Sequence, residues 1–176
     1  TYGYVFDPIG NRIVSTNNAD GTAYAANELN QYTNILSASA PPREPSHDDD
    51  GNMTSTGEGW HYEWNGENRL ILASNETALV SYAYDHQGCM VWTKISRGGA
   101  EAQSWEEEKS ITYLWDNFNI IAETVISGSA TNTTYNIWGL DIDGTIQGAG
   151  GVGGLLAVIQ DSATYVPAWD ANGNII

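Results

Sequence analysis

One pattern recurs along this 176-residue chain and constrains it more than any other feature. It is an aromatic residue, then Asp or Asn, two free positions, and Gly or Asn. It reads Phe6-Asp7-Pro8-Ile9-Gly10, Trp64-Asn65-Gly66-Glu67-Asn68, Tyr84-Asp85-His86-Gln87-Gly88, Trp115-Asp116-Asn117-Phe118-Asn119 and Trp169-Asp170-Ala171-Asn172-Gly173. Weaker copies lie at Asn27–Asn30, Asp48–Gly51 and Asp141–Gly144, the last preceded by Trp138. Taking the final Gly or Asn as marker, the copies fall at 10, 30, 51, 68, 88, 119, 144 and 173. The spacing is near 20 residues at first and longer afterwards, as if later units carry insertions.

The physics of the unit is that of a β-hairpin. Aromatic and apolar residues alternate before the turn, as in Trp60, Tyr62 and Trp64, or Val80, Tyr82 and Tyr84, or Ile111, Tyr113 and Trp115. Such residues share one face of a strand. The Asp or Asn that follows bonds its own backbone two residues on and opens a turn. The later Gly or Asn adopts positive φ at low cost. An outgoing strand then starts, as in Arg69-Leu70-Ile71-Leu72 or Asn119-Ile120-Ile121-Ala122. A lone hairpin cannot cover its aromatic face, so neighbours must stack. The expectation is an all-β array of about eight antiparallel hairpins over residues 1–176. Hydrophobic residues make up 41% of the chain, enough to expect a buried core.

Two segments interrupt the rhythm. Residues 37–46 contain Pro41, Pro42 and Pro45 and read as an exposed loop, since proline is excluded from a central strand. Residues 96–109 read as an insertion, either a long hairpin tip or a short helix. The first residues, Tyr2 to Phe6, read as an incoming strand and Asn174-Ile175-Ile176 as an outgoing one, as in a fragment of a longer array.

Composition excludes several functions. There are 22 acidic and 6 basic residues, a formal charge of −16, and no Lys or Arg follows Lys109. Nucleic acid requires phosphate-neutralising cations, so it is not an expected partner. The longest apolar run, Ala149 to Ile159, is interrupted by glycines and too short for membrane insertion as a helix. With Cys89 as the single cysteine, no intramolecular disulfide or cysteine zinc site can form.

Several tempting sites have plainer readings. Gly148-x-Gly150-x-x-Gly153 matches a dinucleotide fingerprint, but Leu155–Ile159 after it reads as a strand, not the required helix. Asp48, Asp50 and Asn52, and again Asp170, Asn172 and Asn174, alternate like the first half of a calcium loop. Met53 and Ile175 stand where that loop needs glycine, so these are weak calcium candidates, better read as turn residues. Ser46-His47-Asp48 are contiguous, whereas a hydrolytic triad assembles from separated segments. His61, His86 and Cys89 have no partners in sequence that would make them reactive. No pair of carboxylates is placed by sequence as a glycosidase needs. The chain is read as non-enzymatic and without a cofactor.

The repeat, with its Tyr84-Asp85 pair, resembles the YD-repeat (Rhs-repeat) family over nearly the whole chain. Trp138-Gly139-Leu140-Asp141 followed by Gln147–Leu156 resembles a segment of proteins with the Rhs-repeat-associated core, and Asn27–Tyr32 and Glu67–Leu70 are similarly family-like. The resemblance implies an antiparallel sheet of hairpins wound into a spiral or shell. It implies a large bacterial extracellular or cell-surface protein that encloses a toxin domain or mediates contact. The chain is far shorter than a complete shell and lacks the family's self-cleaving segment, so no autoproteolysis is implied. Expected partners are other repeats of the same chain or further copies of itself, the latter as a head-to-tail filament. Trp92 and Trp105, outside the repeat aromatics, leave room for a glycan-binding adhesin.

Overall fold

Strands that end in a side-chain-nucleated turn can only fold back on themselves, and the computed structural model consists of such hairpins. It describes residues 1–18, 20–37, 39–98 and 107–175. All described regular structure is β; no helix occurs among the described residues. These residues fall into two compact units, Thr1–Glu76 and Thr77–Ile176.

In the first unit, β1 (Tyr2–Phe6), β2 (Arg12–Asn17), β3 (Asp20–Ala26), β4 (Tyr32–Ser37) and β5 (Ala40–Arg43) form one sheet in chain order. β6 (Ser46–His47), β7 (Met53–Ser55), β8 (His61–Trp64) and β9 (Leu70–Ser74) pair consecutively after it. In the second unit, β10 (Ala78–Tyr84), β11 (Met90–Arg97), β12 (Glu107–Asp116), β13 (Asn119–Ser127), β14 (Ala130–Trp138), β15 (Leu155–Gln160) and β16 (Ala163–Tyr165) do the same. Every described pairing is antiparallel, and within each run the partners are consecutive strands. The sheets do not close into a barrel.

Two expectations need correction. Residues 37–46 are not simply a loop, since Ala40–Arg43 form β5, paired through Ser37↔Ala40 and Ile35↔Arg43. β5 is an edge strand, and its pairing is irregular where Leu36 lies opposite both Pro41 and Pro42, so the open edge and the bulge together accommodate the two missing N–H groups. The described ends of the segment 96–109 continue the flanking strands. Arg97 pairs with Glu107, extending β11 and β12, and residues 99–106 lie outside the described part.

The second correction concerns the core. Among the described residues no large side chain is fully buried; the buried apolar residues are Ala73 and Cys89. Tyr2, Phe6, Leu114 and Leu156 are all more than half exposed. A high apolar content does not make a core when the strands lie side by side in a sheet one layer thick. A core requires a second layer to close on the first.

Candidate functional site

The repeat residues converge on one structural device, a turn capped by its own Asp or Asn. At Asp7 the backbone N–H donates to the Asn11 carbonyl at 2.8 Å, and the Gly10 N–H returns to the Asp7 carbonyl at 3.1 Å. Asp7 Oδ1 accepts the N–H groups of Ile9 and Asn11, and Oδ2 accepts the Asn11 side-chain amide at 2.9 Å. The same scheme is built on Asn27, Asp48, Asn65, Asp85 and Asp170. Gly10, Asn30, Gly51, Asn68, Gly88 and Gly173 hold the positive φ that closes each turn. The signal visible in sequence is therefore a local hydrogen-bond pattern.

The chain meets seven of the described turns through a β-bulge. Register shifts fall immediately before Phe6, Ala26, His47, Trp64, Tyr84, Trp115 and Trp138. The extra residue lies on the outgoing strand, as Ile13, Thr33, Thr54, Ile71, Val91, Ile121 and Leu156, where a bulge increases the local twist. Three of the positions opposite these bulges hold a tryptophan whose indole reaches the neighbouring strand. Trp64 Nε1 donates to the Met53 carbonyl, Trp115 Nε1 to the Met90 carbonyl and Trp138 Nε1 to the Ile120 carbonyl, each at 2.8 Å. His47 and Ala26 occupy the same place, which the sequence pattern did not single out.

A second set of bonds ties turn to turn in the first unit. The Asn11 side-chain amide also donates to Asn30 Oδ1 at 3.2 Å. Gln31 Nε2 donates to the Gly51 carbonyl at 3.4 Å, and Asn52 Nδ2 to Asn68 Oδ1 at 2.9 Å. The residue that returns from each turn thus satisfies its own cap and reaches the next one. In the second unit Cys89 occupies this position, buried, with its Sγ 3.7 Å from the Asn117 carbonyl.

Two turns depart from the expected form. Asp116 and Asn119 face each other across the pair β12–β13, and the two-residue turn Asn117–Phe118 joins them, with positive φ at Asn117 instead of Asn119. Asn119 is instead a buried strand residue. Asp141 begins a turn with Gly144 but serves a larger purpose. Its Oδ2 accepts the N–H groups of Ala149 at 2.7 Å and Gly151 at 3.3 Å, so it organises the glycine-rich segment 139–154. Gln147 clamps that segment to the neighbouring turn, donating to the Asp116 carbonyl and accepting from the Phe118 N–H. Gly148, Gly150 and Gly153 lie among these turns, and Leu155 opens a strand, so the dinucleotide geometry is not formed.

Electrostatics follow the bonds. The carboxyls of Asp48 and Asp170 lie below their ordinary pKa because the side-chain amides of Asn52 and Asn174, with nearby backbone N–H groups, favour the charged form. For Asp7 and Asp141, burial pushes upward. Hydrogen bonds outweigh it, from Asn11 at Asp7 and from Asp143, Ala149 and Gly151 at Asp141, and both end below the usual range. These oxygens face donors of their own turns. Asp50, Asn52, Asn172 and Asn174 contribute to the same turns, and among the described residues no group of three His, Cys, Asp or Glu could hold a metal. The Ser46 hydroxyl shares a hydrogen bond with Thr54, not with His47.

One polar hollow lies away from the turns, bordered by Trp92, Lys94, Glu108, Ser110 and Ile126, with Lys94 paired to Glu108 at 2.8 Å. Trp105 lies outside the described residues.

No protein-family model matches the chain, and no curated protein matches it. Solved structures do. The crystal structure of TcdB2-TccC3-TEV aligns with a TM-score of 0.63 at 14% identity, covering 96% of this chain and 10% of that one. The crystal structure of TcdB2-TccC3 without its hypervariable C-terminal region aligns with a TM-score of 0.60 at 13% identity, covering 97% and 10%. The chain spans about a tenth of the length of the proteins it matches, and at this identity the likeness is one of fold.

Proposed function

We propose that the chain is a non-enzymatic wall segment of a YD-repeat (Rhs-repeat) protein, exposed outside the bacterial cell, whose sheet helps to enclose a toxin domain. The observation that carries this reading is the one-layer sheet with no large side chain fully buried. A sheet of this kind has its stability distributed along neighbouring hairpins, each tied to the next by turn caps and indole bonds. Its apolar surface needs cover from other repeats or from contents. The fold shared with TcdB2-TccC3 supports the reading. So does the description of one of those structures as lacking a hypervariable C-terminal region, since a constant wall suits variable contents. Electron cryo-microscopy of the full natural polypeptide is the test. A wall one strand layer thick around a lumen is expected; a filled sandwich with this sheet inside would overturn the proposal.

A second reading, a glycan-binding adhesin, is favoured by the Trp92 hollow, where an indole borders the Lys94–Glu108 pair. Glycan-array binding lost in Trp92→Ala would support it, and an array without signal would remove it. A self-assembling filament differs from the wall reading only in what covers the sheet, namely further copies in place of further repeats.

A further inference from the structure

Residues 139–154 form a loop that closes on itself. The Gly139 N–H donates to the Gly154 carbonyl at 2.8 Å, and the Ile142 N–H to the Val152 carbonyl at 2.9 Å. A surface segment with joined ends, packed by its own bonds, is an Ω-loop. Asp141 pins it from inside. Its carboxylate is only 6% exposed and accepts the N–H groups of Ala149 and Gly151, from the far limb of the loop.

The loop lies against two hairpin turns of the second unit that are distant in sequence. On one side Gln147 Nε2 donates to the Asp116 carbonyl at 2.7 Å, and its Oε1 accepts the Phe118 N–H at 3.3 Å. Gly151 packs there so closely that a Cβ would strike the side chain of buried Asn119. On the other side a Cβ on Gly173 would strike Val152 and come within 3.3 Å of the Gly153 nitrogen. Among the described residues no hydrogen bond joins the Asp116 turn directly to the Asp170 turn. In the first unit neighbouring turns are tied side chain to side chain, Asn11 to Asn30 and Asn52 to Asn68. Here the loop stands in that place.

We propose that the loop is a clasp that couples the two turns, so that the Asp170 turn is held shut through Gln147 and Asp141, although neither side chain is hydrogen-bonded to it. The coupling follows from how the loop is built. The bonds from Ala149 and Gly151 to Asp141 fix the stretch between Gln147 and Val152, so its two ends move together. Freeing one end then frees the other, as a local opening unit does. A coupling of this kind is reciprocal. The clasp is a device of the second unit alone and stands apart from the wall reading.

The test is amide hydrogen exchange of the isotopically labelled chain, followed by NMR. The readout is the pair of amides that close the Asp170 turn, Gly173 and Asn174, with Asn68 of the first unit as control. Gln147→Ala is expected to speed exchange at Gly173 and Asn174 several-fold and to leave Asn68 unchanged. Asp141→Asn is expected to do the same by about tenfold, the loss of one bond to a charged acceptor. By reciprocity Val152→Ala is expected to speed exchange at Phe118. Faster exchange at Phe118 and Gly151 with Gly173 unchanged in Gln147→Ala would overturn the proposal, since the loop would then cover one turn only. Faster exchange at Asn68 as well would also overturn it, as a loss of stability throughout. Should Asp141→Asn fail to fold, Gln147→Ala and Val152→Ala decide.

Discussion

Trp115 donates its indole N–H to the carbonyl of Met90, 25 residues away in sequence, at 2.8 Å. This bond fastens the turn of one hairpin to the strand that leaves the previous one, and Trp64 with Met53 repeats it in the other unit. Replacing Trp115 by Phe keeps a ring and removes the donor. The expected loss is about 1 kcal/mol, the net worth of one hydrogen bond, read as a lower urea midpoint at unchanged slope. An unchanged midpoint would mean that the ring alone holds the hairpins.

The turn cap at Asn65 uses an uncharged oxygen. Asn65 Oδ1 accepts two backbone N–H groups, from Glu67 and Arg69, both at 3.0 Å. Asn65→Asp is therefore expected to fold with near-native stability. Asn65→Ala leaves both donors to solvent and is expected to cost about 1–2 kcal/mol by chemical denaturation.

These caps were legible because they are local. An Asp, two free positions and a Gly state the whole of the Asp7 or Asp170 turn. The indole bonds were not legible, since nothing near Trp115 marks Met90 as its acceptor. The turn at Asp116 was misplaced for a related reason. Asn117 and Asn119 both tolerate positive φ, and only the pairing register of β12 with β13 selects Asn117. The missing core was hidden as well, because composition counts apolar residues without saying whether a second layer exists to cover them. Ala26 was readable in principle, as the one small residue in an otherwise ring-bearing column, but only once the bulges had aligned that column.

Acid should loosen the turns in a defined window. Asp48 and Asp170 have native pKa values lowered from 3.8 by hydrogen bonding, first from Asn52 and Asn174. A carboxyl with a depressed native pKa contributes stability that is present above its unfolded value. That contribution is lost as pH falls through the lower native value. Relief of repulsion at −16 acts in the opposite sense, so the comparison should be between the chain and Asp48→Asn. The stability difference is expected to be constant above about pH 5 and to shrink below pH 3.8. A difference that grows in acid would reverse the assignment.

Two glycines in one loop should respond unequally to alanine. Gly57 and Gly59 both have positive φ, but a Cβ at Gly57 would meet the backbone of Glu44 while one at Gly59 meets open space. Gly59→Ala is expected to cost about 1 kcal/mol from backbone strain. Gly57→Ala should cost more, because β5 and the link to β6 would have to move. Equal losses, measured by thermal unfolding, would show that the Glu44 contact is not maintained.

The central claim is that this sheet is a wall whose apolar surface is covered by something other than itself. Sedimentation velocity over a concentration series, with fluorescence of a hydrophobic dye in the same samples, tests it most directly. The wall account predicts dye binding and association that grows with concentration. A strictly monomeric chain that leaves the dye dark across the series would contradict it.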